Sequence, residues 1–442
     1  MTDQVLIEQA ARAYIYGFPL VFDVEQVDRF VRTGLGANPP APFNTFGHTR
    51  DLATPSDTFV TVNNDTLYSI AQIDLSVGPI ELRVPASDRY YVLQFVDTWT
   101  NNFAYIGTRA TGSDAGTYLL VPPGWQGTVP EGTTTVRFPT RVASIVGRYA
   151  VAGAADLPAA HALQDALTLE QIEPRRTPVG VPHIPAGPIP ALIFFEKLRA
   201  WSQAFPPAAR DLPVQESFAA LGLTGDVPVA ELDEPIRATL EAGYDKGKEL
   251  LEQLVRGSSA AVVNGWVQAF HVFDYNLDFF EIGTRDEPQW RLVQGPERYA
   301  TRAGAALGGL WGNHGYEAVY EPIYLDDKGE QLTGERTYTL RLDPTPPNAA
   351  FWSLTMYNIP DYYLVENPIG RYSIGDRTPG IVLDADGGLT LTISHAEPED
   401  PVARANWLPA PAGPFRPVLR VYIPDPQILD GSYVPAAIER RP

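Results

Sequence analysis

The spacing of apolar and polar positions changes period along the chain. From Thr2 to Val31, Leu6, Ala10, Ala11, Tyr14 and Ile15 fall at helical spacing, and Thr2 or Asp3 can cap the start. Gly17-Phe18-Pro19 predicts a break, with a second helix running from near Val21 to Thr33-Gly34. From Phe43 to Gly153 the period is two. Turns such as Gly78-Pro79, Ala86-Ser87-Asp88 and Pro122-Pro123-Gly124 separate short runs, the clearest at 80–84, 90–96, 118–121 and 133–138. Strands at roughly 8–12-residue spacing suit a sandwich or jelly roll. Helical spacing returns over 160–169, 190–205 and 229–254, around a Pro-rich crossing at 174–188. The aromatic-rich stretch 266–290 is ambiguous, with Phe270, Phe273, Tyr275, Phe279 and Phe280 expected in a core. A short helix is expected over 298–311, and the β pattern resumes over 321–435.

The two β regions echo each other. Ile80-Glu81-Leu82-Arg83-Val84-Pro85, a polar gap and Arg89-Tyr90-Tyr91-Val92-Leu93-Gln94-Phe95-Val96-Asp97 match a second pair: Tyr338-Thr339-Leu340-Arg341-Leu342-Asp343-Pro344, then Phe351-Trp352-Ser353-Leu354-Thr355-Met356-Tyr357-Asn358. The turn at Pro122-Pro123-Gly124-Trp125 echoes Asn406-Trp407-Leu408-Pro409. The expected fold class is therefore α+β and multidomain: two related antiparallel β-sandwich, jelly-roll-like domains with an N-terminal helical segment and a helical insertion between them. The expected boundaries are 1–42 for N-terminal helices, 43–153 for the first sandwich, 154–297 for a mostly helical middle, and 298–442 for the second sandwich with a leading helix.

Composition narrows the function classes. The formal charge of −20 argues against nucleic acid and anionic membranes as partners. No Cys is present, so no disulfide, thiolate metal site or Cys nucleophile is available. The start has no signal-peptide pattern and no run is long enough to span a membrane, so the expected location is cytoplasmic. The 42 Pro and 37 Gly suit a loop-rich β protein. No nucleotide-binding glycine motif is present, and Gly304-Ala305-Ala306-Leu307-Gly308-Gly309 reads as close helix packing, so no cofactor is expected. A small-molecule ligand is the expected partner, with homo-oligomerisation left open.

Candidate chemistry centres on Val62-Asn63-Asn64-Asp65-Thr66-Leu67-Tyr68-Ser69, which follows a β-branched run at 59–62. Three Asx residues between strands form a turn that bonds its own backbone, or they grip a small polar ligand. Asp65 and Asp97 are the best carboxylate pair for acid–base work, with His48 as partner; all three also fit turn caps or a core histidine. Asn63, Asn64, Tyr68, Trp99, Asn101, Arg371 and Trp407 are candidate substrate contacts, the Trp side chains by stacking and Arg371 by a forked bond to an anion. Arg420 and Arg50 share that last reading, against ordinary ion pairs, and Trp125 shares the stacking one. No His has a second His at i+2 to i+4, so no compact metal site is expected. A metal held by His48 with distant carboxylates is a further reading.

Several of these residues also carry a resemblance. Asn44, Phe46, His48 and Arg50, the run 63–69, Asp74-Leu75, Gly78-Pro79 and Arg89-Tyr90-Tyr91 with Asp97 resemble the domain-of-unknown-function family 1254. Asp327, Gly329, Leu332, Gly334 and Tyr338, the run 351–357, Asn367, 371–374, 406–411, Arg420 and Tyr422 resemble family 1214. The resemblance covers roughly 40–150 and 298–435. It implies two β-sandwich units with helices packed between and around them, and no activity. From the residues, the expected function is an enzyme of hydrolase or lyase type acting on a small polar substrate, such as a sugar derivative or secondary metabolite. The alternative is a non-catalytic ligand-binding or scaffolding protein.

Overall fold

The computed structural model describes residues 2–441 apart from 59–60, 173–174, 257–259, 277–280 and 293–294. The expected cap side chains of Thr2 and Asp3, and Phe59, Val60, Phe279 and Phe280, lie outside the described residues. Helix α1 (Thr2–Thr33) is continuous, so the break expected at Gly17-Phe18-Pro19 does not occur. An internal Pro costs about 3 kcal/mol. Burial offsets it: Tyr16, Leu20, Val24, Val27 and Phe30 are all 0–1% exposed, and each such side chain contributes roughly 1.5–3 kcal/mol. Gly17 also admits α3 closely, since a Cβ there would lie 2.5 Å from Leu198 Cδ1.

The strands of the first half are β1 (Phe46–His48), β2 (Thr66–Asp74), β3 (Ile80–Val84), β4 (Tyr91–Asp97), β5 (Asn102–Gly107), β6 (Gly116–Val121), β7 (Thr134–Arg137) and β8 (Val142–Ala150). Helix α2 (Leu157–Ala166) leads to β9 (Thr168–Gln171), a strand in a stretch read as helix from sequence. Helices α3 (Pro190–Ala204), α4 (Leu212–Glu216) and α5 (Glu234–Arg256) and the hairpin β10 (Ala261–Val263)–β11 (Trp266–Gln268) fill the middle. Helix α6 (Pro296–Gly309) precedes β12 (Ala318–Pro322), β13 (Tyr338–Leu342), β14 (Asn348–Asn358), β15 (Ser373–Gly375) and β16 (Leu389–Ser394). Then come α7 (Pro401–Ala405), β17 (Trp407–Pro409), β18 (Phe415–Pro424), α8 (Pro426–Leu429) and β19 (Glu439–Arg440).

The four larger sheets run β1-β2-β8-β4-β5, β7-β6-β3-β9, β12-β18-β14-β15 and β17-β16-β13-β19. Apart from β1, the first two orders become the last two when ten is added to every strand number. The parallel pairs β6–β7 and β16–β17 correspond as well. Ile73, Leu82, Leu93, Leu120 and Ile145 share one apolar core between the first two sheets. Leu340, Trp352, Leu391, Leu419 and Val421 share another between the last two. Helices α1, α3, α5 and α6 pack around a third core that includes Tyr16, Trp201, Leu240 and Tyr299. The molecule is thus a mixed α+β fold of several antiparallel sheets and helices, with no closed barrel among the described residues.

Alternation leaves each large sheet a second face. Tyr90, Val92, Tyr105 and Ala150 of the first half pack on Ala318, Phe351 and Tyr422 of the second. This inter-sheet seam carries polar side chains where the other cores are apolar.

Candidate active site between two facing sheets

The seam is organised by one position on each side. On β8, Arg148 stands opposite Tyr68 of β2 and Val92 of β4. On β18, Arg420 stands opposite Tyr320 of β12 and Ser353 of β14. Both arginines are nearly sealed, at 6% and 3% exposure. Arg148 donates to Gln94 Oε1 (2.8 Å), Asn313 Oδ1 (3.5 Å) and the Trp311 carbonyl (2.9 Å). Arg420 donates to Thr355 Oγ1 (2.8 Å), Tyr357 Oη (2.7 Å) and the Thr61 carbonyl (3.0 Å). Among the described residues no carboxylate lies within ion-pair distance of either guanidinium. Each arginine therefore bonds neutral groups and reaches a backbone carbonyl in the segment leading into the other half's first long strand.

Tyr68 and Tyr320 are half-buried, beside the nearly sealed arginines. The Arg148 guanidinium lies 5.3 Å from the Tyr68 ring centre. Burial pushes the Tyr320 phenol up, while Arg148 and Arg420 pull it back. The Asn313 amide faces the Tyr320 hydroxyl, but its buried Nδ2 completes no well-formed hydrogen bond.

Two acids flank the arginines. Asp65 Oδ2 accepts from Ser353 Oγ (2.6 Å) and Tyr422 Oη (3.3 Å). Burial holds the Tyr422 phenol well up, and Asp65 adds to it. Glu317 accepts from Tyr90 Oη (2.9 Å) and pairs with Arg109. Asn63 does two jobs: its Oδ1 caps the turn by accepting from the Asp65 and Thr66 amides, and its Nδ2 donates to Tyr422 Oη (2.8 Å). A crevice behind Gly312, lined by Thr100, Asn102, Tyr275 and Trp311, is too narrow for a water molecule.

Asp65, Asn63 and Tyr68 thus meet at the seam, and Asn64 stands beside it, donating to the Ala53 carbonyl. The other candidates lie elsewhere. Asp97 ends β4 opposite Ala143, whereas the Asp65 carbonyl accepts from Val151. Eight residues of strand separate the two, roughly 25 Å at the usual rise, so they form no acid–base pair. Asp97 is buried and caps its own turn, accepting from the amides of Trp99 and Asn101 and from Asn101 Nδ2. Burial raises its carboxyl to about 6, against the pull of Asn101. His48 bonds Ser69 Oγ (2.8 Å) at the edge strand, where burial and then Arg50 lower its imidazole to about 4. Trp99 and Trp407 are 1% and 0% exposed, with their indole N–H groups on the carbonyls of Phe205 and Ser394. They are core residues because nothing can stack on a ring already packed on both faces. Arg371 is pinned on the carbonyls of Ala405 and Trp407. Among the described residues no three His, Asp or Glu side chains converge to hold a metal ion.

Arg148, Gln94, Asn313 and Tyr320 were missed. A usable signal existed: Val142-Ala143-Ser144-Ile145-Val146-Gly147-Arg148-Tyr149-Ala150 and Val418-Leu419-Arg420-Val421-Tyr422 each place one Arg inside an apolar strand. A charge is rarely buried there without a purpose.

Comparison with known proteins follows the same division of the chain. Residues 43–171 match the family described as protein of unknown function DUF1254, and 317–426 match that described as DUF1214. The chain joins a DUF1254 region to a DUF1214 region. β9 falls inside the first match, which is why that match runs past the 153 boundary expected from sequence. The crystal structure of the VPA0106 protein from Vibrio parahaemolyticus is similar over 99% of this chain and 100% of its own, with a TM-score of 0.75 at 24% identity. That likeness concerns the fold alone. A putative uncharacterized protein from Burkholderia cenocepacia aligns over 100% of this chain and 94% of its own, with a TM-score of 0.45 at 12% identity. No curated protein matches. Among the described residues no helix is long and apolar enough to cross a membrane.

Proposed function

We propose that this DUF1254–DUF1214 chain is an enzyme of lyase type that acts on a small polar substrate in the hollow between its two facing sheets. The observation that carries the reading is a pair of half-buried tyrosines, Tyr68 and Tyr320, beside two buried guanidiniums. Arg148, with the Gln94 and Asn313 amides around it, holds the polar head of the substrate. A phenol beside a guanidinium can take a proton from carbon and return one to a leaving group. Asp65, with Ser353 and Tyr422, fixes the far wall. In this reading Asp97 and His48 have structural roles.

The test is a screen of hydroxy acids and sugar acids, followed through the ultraviolet absorbance of the new double bond. Tyr68→Phe and Tyr320→Phe should each lower turnover by at least about 100-fold with the thermal midpoint nearly unchanged. Full activity in both would remove the reading. A hydrolase using Asp65, or a protein that binds its ligand without chemistry, would use the same hollow.

We also read the two β halves as copies of one two-sheet, sandwich-like unit. Support comes from the strand orders offset by ten and from the Arg–Tyr neighbours at equivalent register. The Trp echo fits less well, since Trp125 sits in a turn after β6 while Trp407 lies within β17.

A further inference from the structure

Charge in the seam does not balance. Arg148 and Arg420 stand there with Asp65, while Glu317 is engaged by Arg109 and Tyr90. One positive charge is left over, inside a protein whose formal charge is −20. Asp65 acts on Arg420 through space, so the excess lies on the Arg148 side. Half-buried Arg377, 3.4 Å from the centre of the Phe351 ring, faces Asp376 and Asp156 as well as Asp65 and so leaves the count at one. A buried cation with only neutral partners is costly unless an anion joins it.

Three observations say where an anion would sit. Arg148 has five N–H donors, and three hydrogen bonds to protein occupy part of that set. Asn313 Nδ2 is buried and completes no well-formed hydrogen bond. Tyr68 and Tyr320, the register neighbours of Arg148 and Arg420, are half-buried where the arginines are nearly sealed.

We propose that the hollow binds a small carboxylate, held by Arg148 and the Asn313 amide, with the Tyr68 and Tyr320 hydroxyls as further donors. The inference deepens the lyase reading and uses the same hollow. One unit of excess charge matches a carboxylate better than a phosphate dianion. The planar guanidinium fork beside an amide donor suits two coplanar oxygens.

Scanning calorimetry of the full chain tests this, in sodium chloride, sodium lactate and sodium phosphate at equal ionic strength. Lactate should raise the midpoint over chloride by about 2 °C or more, and phosphate should not. Arg148→Met should abolish the lactate shift, while Arg341→Met, at a surface ion pair, should keep it. Asn313→Asp places a carboxylate beside Arg148 where the lost Nδ2 donor completed no well-formed hydrogen bond. It should raise the midpoint in chloride and remove the lactate response, and it decides the matter if Arg148→Met does not fold. Equal wild-type midpoints in lactate and chloride, or a lactate shift that survives both substitutions, would overturn the proposal. A shift with phosphate alone would overturn the ligand class. A lactate shift without any turnover leaves the carboxylate site standing and removes the lyase reading. Turnover lost in Tyr68→Phe with no lactate shift does the reverse.

Discussion

Arg148 and Arg420 occupy the same register on corresponding strands, yet their surroundings differ. Arg420 sits among hydroxyls with Asp65 near enough to act on it, and its three bonds hold the segment around Thr61. Arg148 sits among amides with no acid of its own and the half-buried Tyr68 ring alongside. One backbone position thus clamps a carbonyl of the other half on both sides, with an acid nearby in one case and none in the other. The lesson is that a shared scaffold does not fix the role of a side chain; the charges around it do.

The largest test of that contrast is Arg420→Met, which strands Asp65 in a sealed seam. It should cost about 3–5 kcal/mol in denaturant unfolding. Arg148→Met leaves only neutral acceptors behind and no charge, and should cost about 1–2 kcal/mol. Equal losses would break the comparison.

One residue further along, the halves diverge again. Ser69 on β2 bonds His48, whereas Glu321 on β12 is 1% exposed with one carboxyl oxygen lacking a partner. Burial raises the Glu321 carboxyl to about 8. Folded Glu321 keeps its proton up to that pH, while the unfolded chain loses it near 4.5, so stability falls as pH rises between those values. The slope is at most about 1.4 kcal/mol per pH unit. Glu321→Gln should flatten it in unfolding curves taken from pH 5 to 8; an unchanged slope would place the titration elsewhere.

A smaller effect compares the two tyrosines that reach across the seam. Tyr90→Phe loses a 2.9 Å bond to Glu317, and Tyr422→Phe loses a longer one of 3.3 Å to Asp65. The first should cost about 2 kcal/mol and the second about 1. The opposite order would mean that Asn63, which also bonds Tyr422, governs that side.

Much of this fold was legible in the sequence because strand alternation is local: the runs at 80–84 and 90–96 became β3 and β4 within a residue. Continuity of α1 through Pro19 was not, because the packing that offsets it comes from α3, far along the chain. β9 escaped because its pairing with β3 outweighs a helical pattern that ends in α2. At the site, Asn63, Asp65 and Tyr68 were visible as a polar cluster. The pairing of Asp65 with Asp97 failed for a non-local reason. β2 and β4 both run antiparallel to β8, so a residue before one and a residue ending the other lie at opposite ends of the strands.

Because Arg148 grips the carbonyl of Trp311 and Arg420 that of Thr61, neither half can complete the hollow by itself. Either half expressed alone would expose a guanidinium to solvent, where it has no reason to select an anion. On the proposed reading, anion recognition is a property of the joined halves, and any change that loosens their docking should weaken the lactate response before it unfolds either one.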